Sequence, residues 1–139
     1  MQIAIIDGRG GKLGAALTEE VLKRFPQDDI LAVGINDAAA EQMRKAGAKR
    51  CASGENPVLV ACRTADLLLG SMELVLADSM LGEVTPCMAK AVSESGAMRI
   101  LVPMHLEGIA VAGVKETSAS ELVQDAVQKA ERWKKGLPV

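Results

Sequence analysis

Apolar residues come in short blocks, and between them run stretches with helical spacing; the alternation repeats along the whole chain. Residues 3–6 (Ile-Ala-Ile-Ile) are apolar without a break, which predicts a strand covered on both faces. A glycine-rich turn follows. Leu13, Ala16, Leu17, Val21 and Leu22 then fall at helical spacing and predict a helix over 13–25, ended by Pro26. Residues 30–34 predict a second strand, 38–46 a short helix stopped at Gly47, and 49–52 a weak third strand. Pro57 sits as the first residue of another short helix, over 58–63. Residues 66–70 predict a fourth strand, again apolar almost throughout. The Leu-Val-Leu-Ala stretch at 74–77 suits strand and helix equally. Thr85-Pro86 reads as the N-cap and first residue of a helix to about residue 95. Residues 99–103 predict a fifth strand, and 109–114 a sixth, antiparallel to the fifth across a turn near Glu107-Gly108. The last helix covers 118–135, with Ser118 or Ser120 as its cap and basic residues in its final turn.

Strand and helix alternating from a glycine-rich first turn predict an α/β, Rossmann-like, doubly wound sheet. The sheet is expected to be mostly parallel, in the order 3-2-1-4-5, with an antiparallel sixth strand and helices on both faces. A chain of 139 residues with no linker or repeat predicts a single domain over 1–139. Hydrophobic content is 49% but aromatic content 1%, so Ala, Val, Leu, Ile and Met must fill the layers.

Charge and cysteine usage remove several classes of function. A net charge of −2 gives no basic face for nucleic acid and no attraction to an anionic membrane. No apolar run approaches the roughly 18 residues of a membrane span. Cys51, Cys62 and Cys87 are an odd number without metal-ligand spacing. With no basic, apolar leader after Met1, they fit a cytoplasmic protein with reduced thiols; Cys51 and Cys62 read as small buried hydrophobes.

The candidate chemistry is concentrated at the first turn. Asp7-Gly8-Arg9-Gly10-Gly11-Lys12-Leu13-Gly14 follows a strand and leads into a helix, which brings backbone amides to a helix N-terminus where they can hold a phosphate. The strict dinucleotide spacing fails because Leu13 stands at its third glycine position, but the variant Gly8-x-x-Gly11-x-x-Gly14 is complete. That variant resembles the turn of extended short-chain dehydrogenases. A phosphate P-loop is excluded, since Leu13 stands where Ser or Thr would hold magnesium. The amides around Gly8, Gly10 and Gly11 would hold the anion, with Arg9 or Lys12 neutralising it. Asp7, just ahead of the turn, would repel a phosphate unless it faces elsewhere or holds a cation. The same glycines would equally serve a tight strand-to-helix turn with no ligand.

Other candidates lie at the carboxyl ends of the predicted strands. Asn36 follows the second strand and offers an amide, rather than a carboxylate, to a sugar. Gly54, Glu55 and Asn56 follow Ser53 after the third strand; they cap a helix or contact a sugar. Gly70 and Ser71 face Gly8 across the expected crevice. Asp78, Ser79 and 82–86 would line the same cleft, though helix capping alone accounts for Thr85. His105, the one histidine, is a candidate general base after the fifth strand, and equally a surface residue. Tyr is absent, which removes the Tyr-x-x-x-Lys acid–base pair of short-chain dehydrogenases together with their chemistry.

Four segments carry a resemblance to a known family: Ile-Asp-Gly-Arg-Gly-Gly-Lys-Leu-Gly at 6–14, Ala-Gly-Ala at 46–48, Ser-Gly-Glu-Asn at 53–56, and Asp-Ser-Met-Leu-Gly-Glu-Val-Thr-Pro at 78–86. With them the chain resembles a small bacterial family known as domain of unknown function 3842, over nearly its whole length. The resemblance implies a compact cytoplasmic α/β domain and carries no catalytic residues over. The expectation is a small protein that binds NAD(P), a flavin nucleotide or another phosphorylated small molecule at the first turn. Two rivals stand beside it. One is a non-catalytic homo-oligomeric scaffold, with 74–77 and the surrounding methionines as a homodimer face and Trp133 docking the last helix on the body or on a second subunit. The other is a small enzyme using Asp7, Glu55, Asp78, Glu83 or His105 as acid–base groups.

Overall fold

A computed structural model describes residues 1–104 and 106–139. Five strands form one parallel sheet: β1 (Gln2–Asp7), β2 (Asp29–Gly34), β3 (Arg50–Ser53), β4 (Leu67–Ser71) and β5 (Met98–Val102). Their order is β3-β2-β1-β4-β5, so the sheet is doubly wound as the alternation of elements predicts. Five helices cover it: α1 (Lys12–Arg24), α2 (Asp37–Lys45), α3 (Glu55–Thr64), α4 (Pro86–Glu94) and α5 (Ala119–Lys134).

Successive strand residues face opposite sides, and the core divides accordingly. Ile3 and Ile5 of β1 join Leu67 and Leu69 of β4 under α1, α2 and α5, where Leu17, Val21, Met43 and Val127 are fully buried. Ala4 and Ile6 join Leu68 under α3 and α4, packed with Val58, Ala61, Met88 and Val92. The two central strands are therefore buried on both faces, which is why they read as unbroken apolar runs. Trp133 and Met104 pack against the first of these clusters.

Three expectations are corrected. Residues 109–114 form no sixth strand: Val114 donates to the carbonyl of Val111, closing a turn with Gly113 at φ +85°, and Ile109 and Val114 remain 44% and 47% exposed. A backbone that reverses within four residues offers no row of alternating amides, so β5 stays the sheet edge. Residues 74–77 are neither strand nor α-helix. A 3-10 turn covers Met72–Val75, and tight turns carry the chain to residue 84. α3 begins at Glu55 rather than 58, making Pro57 its third residue; the third amide of a helix has no partner within the helix, so proline costs nothing there.

The strand order reverses between β1 and β4. β1 runs on to β2 on one side, while β4 and β5 lie on the other, and the carboxyl ends of β1 and β4 open a crevice between them.

Candidate functional site

The glycine turn is built so that α1 starts close against β1. Gly11 is the N-cap, in the left-handed region at φ +75°, and contributes no side-chain bond. A Cβ there would lie 2.7 Å from the Cα of Ala39, so only glycine serves. At Gly14 a Cβ would meet the Cβ of Asp7 at 2.7 Å and the sulfur of Met43 at 2.8 Å. The tight helix-on-strand packing expected of this glycine is what the structure shows.

Asp7 takes over the capping that Gly11 lacks. It is 5% exposed, and its two oxygens accept from the amides of Gly8 at 2.8 Å and Gly14 at 2.7 Å. Gly14 is the third helical residue, the position an ordinary N-cap side chain would serve. Burial pushes the Asp7 carboxyl above its ordinary 3.8; the Gly14 and Gly8 amides oppose this, and the neighbouring Glu73 charge adds to it. The Gly11 amide donates to the carbonyl of Gly8, and the Arg9 amide to Glu83 Oε1 at 2.6 Å. Of the three amides expected to hold an anion, those of Gly8 and Gly11 are therefore engaged within the protein. Among the described residues, the amides of Gly10, Lys12 and Leu13 meet no acceptor.

Block 78–86, one of the four segments that carry the family resemblance, folds onto this turn. Glu83 Oε1 and the Met80 sulfur lie so near Gly8 that a Cβ there would meet them at 2.8 and 2.7 Å. Asn36 joins the pieces: its oxygen caps α2 by accepting from Ala39, while its Nδ2 donates to the carbonyl of Arg9 and to Glu83 Oε2. Thr85 caps α4 and donates its hydroxyl to Glu55 Oε2 at 2.8 Å. Ser53 donates to Asp37 at 2.5 Å. The polar groups of Asn36 and Glu55 that were candidates for a sugar thus have partners inside the fold.

A residue that sequence reasoning passed over proves central. Glu73 is 3% exposed, and its Oε2 accepts from Arg9 Nη2 at 2.8 Å. Its other oxygen, Oε1, is buried with no hydrogen-bond partner among the described residues. Its signal was the acid itself, the one charged residue in the largely apolar stretch Leu67–Ala77 that begins with β4. Gly8, Arg9, Gly10, Gly11, Lys12 and Ser71 line one small cavity of about 70 Å³ with Asp7, Leu13, Glu73 and Met80. A wider open groove of about 1070 Å³ shares Arg9, Glu73 and Met80 with it and runs on past Leu76, Asp78, Ser79 and Ile109. The described lining of the small cavity does not include Gly14, Asn36, Gly54, Glu55, Asn56 or Gly70. Gly70 is a packing glycine, since a Cβ would strike Leu74 at 2.4 Å and the carbonyl of Ile6 at 2.7 Å. His105 lies outside the described residues.

Fold and turn together define a doubly wound α/β protein whose switch-point crevice is covered in part by its own 78–86 loop. The chain belongs to the family described as Domain of unknown function (DUF3842), whose model matches residues 2–135. No curated protein matches it. Among solved structures it is similar to a dodecameric FMN-dependent UbiX-like decarboxylase from Escherichia coli O157:H7, at 17% identity and a TM-score of 0.51, over 100% of this chain and 96% of that one. At that identity the likeness is one of fold. Among the described residues no group of three or more His, Cys, Asp or Glu side chains is placed to hold a metal, and no helix is long and apolar enough to cross a membrane.

Proposed function

We propose that this protein binds a phosphorylated small molecule of nucleotide type in the crevice between β1 and β4. The carrying observation is the start of α1. Asp7 satisfies the third helical amide from below, which leaves the first two, Lys12 and Leu13, with Gly10 along the wall of the cavity. Backbone amides at a helix N-terminus suit a phosphate, and Lys12 is one of the residues that line the same cavity. The adjoining groove, walled by Val75, Leu76, Leu81 and Ile109, has room for a flat apolar ring. Flavin mononucleotide is the first candidate, because a protein of similar fold is FMN-dependent; NAD(P) and simple mononucleotides follow. A cytoplasmic setting agrees with three free thiols.

The test is thermal unfolding with FMN, NAD(P) and AMP. Ligand at one hundred times its dissociation constant adds about 2.7 kcal/mol. A shift with at least one member supports the reading, and no shift with any of them at millimolar concentration overturns it.

The scaffold reading has one observation of its own. Leu81 is wholly exposed, and Ile109 and Val114 lie open on the same chain. The stretch at 74–77 contributes less than expected, because Leu74 is buried in the core beneath β4. Light scattering that finds only monomer across micromolar concentrations removes a homodimer.

A further inference from the structure

We propose that the Glu83 carboxylate sits where a ligand's oxyanion binds the glycine turn, and that the phosphate of a bound ligand displaces it. This rests on the ligand reading above and deepens it: Glu83 competes with the ligand and sets how tightly a phosphate is held.

A turn that gathers successive backbone amides makes a hollow for an anion. The anion bonded to this turn belongs to the protein itself. Glu83 Oε1 accepts from the Arg9 amide at 2.6 Å, and Oε2 accepts from Asn36 Nδ2 at 2.6 Å. Bonds this short suit a charged acceptor. Both donors are set without help from Glu83. The Arg9 amide is part of the turn. The Asn36 carboxamide cannot flip, because its oxygen caps α2 by accepting from Ala39 at 2.8 Å. Two N–H groups that converge from separate loops serve only an acceptor. Gly8 belongs to the same arrangement: a Cβ there would lie 2.8 Å from Glu83 Oε1, inside the space the oxyanion fills.

The contact is one that can open. Glu83 is half-buried, whereas Met80 and Val84 of the same loop are in the core. Backbone bonds close that loop on itself: the Asp78 amide donates to the carbonyl of Val84, the Val84 amide to Ser79, and the Glu83 amide to Met80. The loop can therefore keep its path while the Glu83 side chain turns out to solvent. Gly10, the next residue of the turn, lines the small cavity with Arg9, and among the described residues its amide meets no acceptor. The Arg9 and Gly10 amides are consecutive, so a phosphate at Gly10 and the Glu83 carboxylate would be like charges at close quarters. The ligand gains the Arg9 and Asn36 donors once Glu83 leaves.

The test is titration of wild type and Glu83→Ala with sodium phosphate near neutral pH, followed by NMR, with sodium chloride at equal ionic strength as the control. Losing a charged competitor for two donors should tighten phosphate binding about tenfold or more. The Arg9 amide and the Asn36 side-chain amide of the variant should shift to saturation with phosphate and not with chloride. If Glu83→Ala fails to fold, Glu83→Gln is held to the same criterion; it keeps the shape but loses the charge and sets a donor against Asn36. A folded variant that binds phosphate no better than wild type, or whose Arg9 and Asn36 signals stay in place, overturns the proposal. Binding of FMN, NAD(P) or AMP at equal affinity to both proteins keeps the nucleotide reading and discards the competition. Phosphate held more tightly by the variant, with none of the three nucleotides bound by either protein, does the reverse.

Discussion

Asp7 and Gly14 show how few atoms decide the first turn. The carboxylate of Asp7 reaches the Gly14 amide only because Gly14 has no side chain between helix and strand. Gly14→Ala must move Asp7 or Met43, and crowding of that kind costs about 1–3 kcal/mol. At Gly10 a Cβ would meet nothing within 4 Å, so Gly10→Ala should hold stability within about 0.5 kcal/mol of wild type. Denaturant melts check both values. The open glycine matters only if a ligand approaches the backbone: Gly10→Ala should weaken whichever nucleotide binds while leaving the melt unchanged. The glycines were legible in the sequence because their spacing is local. The partners of Asp7 were not, because one of them lies seven residues away across a turn whose geometry the fold sets. Glu73 was less legible still, since nothing near it in the chain foretold that Arg9 would meet it from the turn after β1.

The elements divide in the same way. The cap at Thr85 was readable and that of α5 was narrowed to Ser118 or Ser120, of which Ser118 serves; each is an oxygen serving an amide three residues on. The loop between β4 and α4 was not. Asp78, Met80 and Leu81 adopt φ of 65°, 57° and 56°, in the left-handed region that L side chains disfavour. The loop is held there by Glu83, bonded to Arg9 and Asn36, and by buried Met80 and Val84. Strain of this kind gathers at sites where a ligand is clamped. Leu81 itself is 103% exposed, so its side chain contributes no burial. Leu81→Gly should therefore raise stability, by about 0.5–1 kcal/mol once the greater freedom of glycine in the unfolded chain is counted. A fall in the urea midpoint would show that Leu81 packs against something in solution, as the scaffold reading requires.

At the scale of the molecule, Asp28 ties distant parts of the fold together at the end of the sheet away from the crevice. Lys134 of α5 reaches it at 2.5 Å and the N-terminal ammonium at 3.0 Å. Burial opposes its charge, but the two cations prevail and hold the carboxyl below its ordinary 3.8. A carboxyl with a depressed folded pKa contributes stability that is whole above its unfolded pKa and is lost as pH falls through the folded value. Asp28→Asn should therefore be less stable than wild type at pH 7, and the difference should shrink below about pH 4. Asp7 has the opposite sign, because burial raises its pKa: its charge lowers stability near neutrality, and protonation on acidification returns it. Urea unfolding from pH 7 to pH 2 reads both slopes, and a gap between wild type and Asp28→Asn that stays constant over that range would contradict the first.

Hydrophobic pattern, glycine spacing and capping residues by themselves determined the order of elements, the strand sequence 3-2-1-4-5 and the place of the crevice. The order of elements depends on residues within a few positions of one another, where periodicity and backbone sterics act directly; the strand sequence and the crevice follow from the doubly wound pattern that such an alternation implies. Tertiary structure alone decided that residues 109–114 stay out of the sheet, that Asp7 caps α1, and that Glu73 is buried against Arg9. Those outcomes depend on which side chains the finished sheet brings face to face, and pairings across tens of residues leave no period in the chain to read.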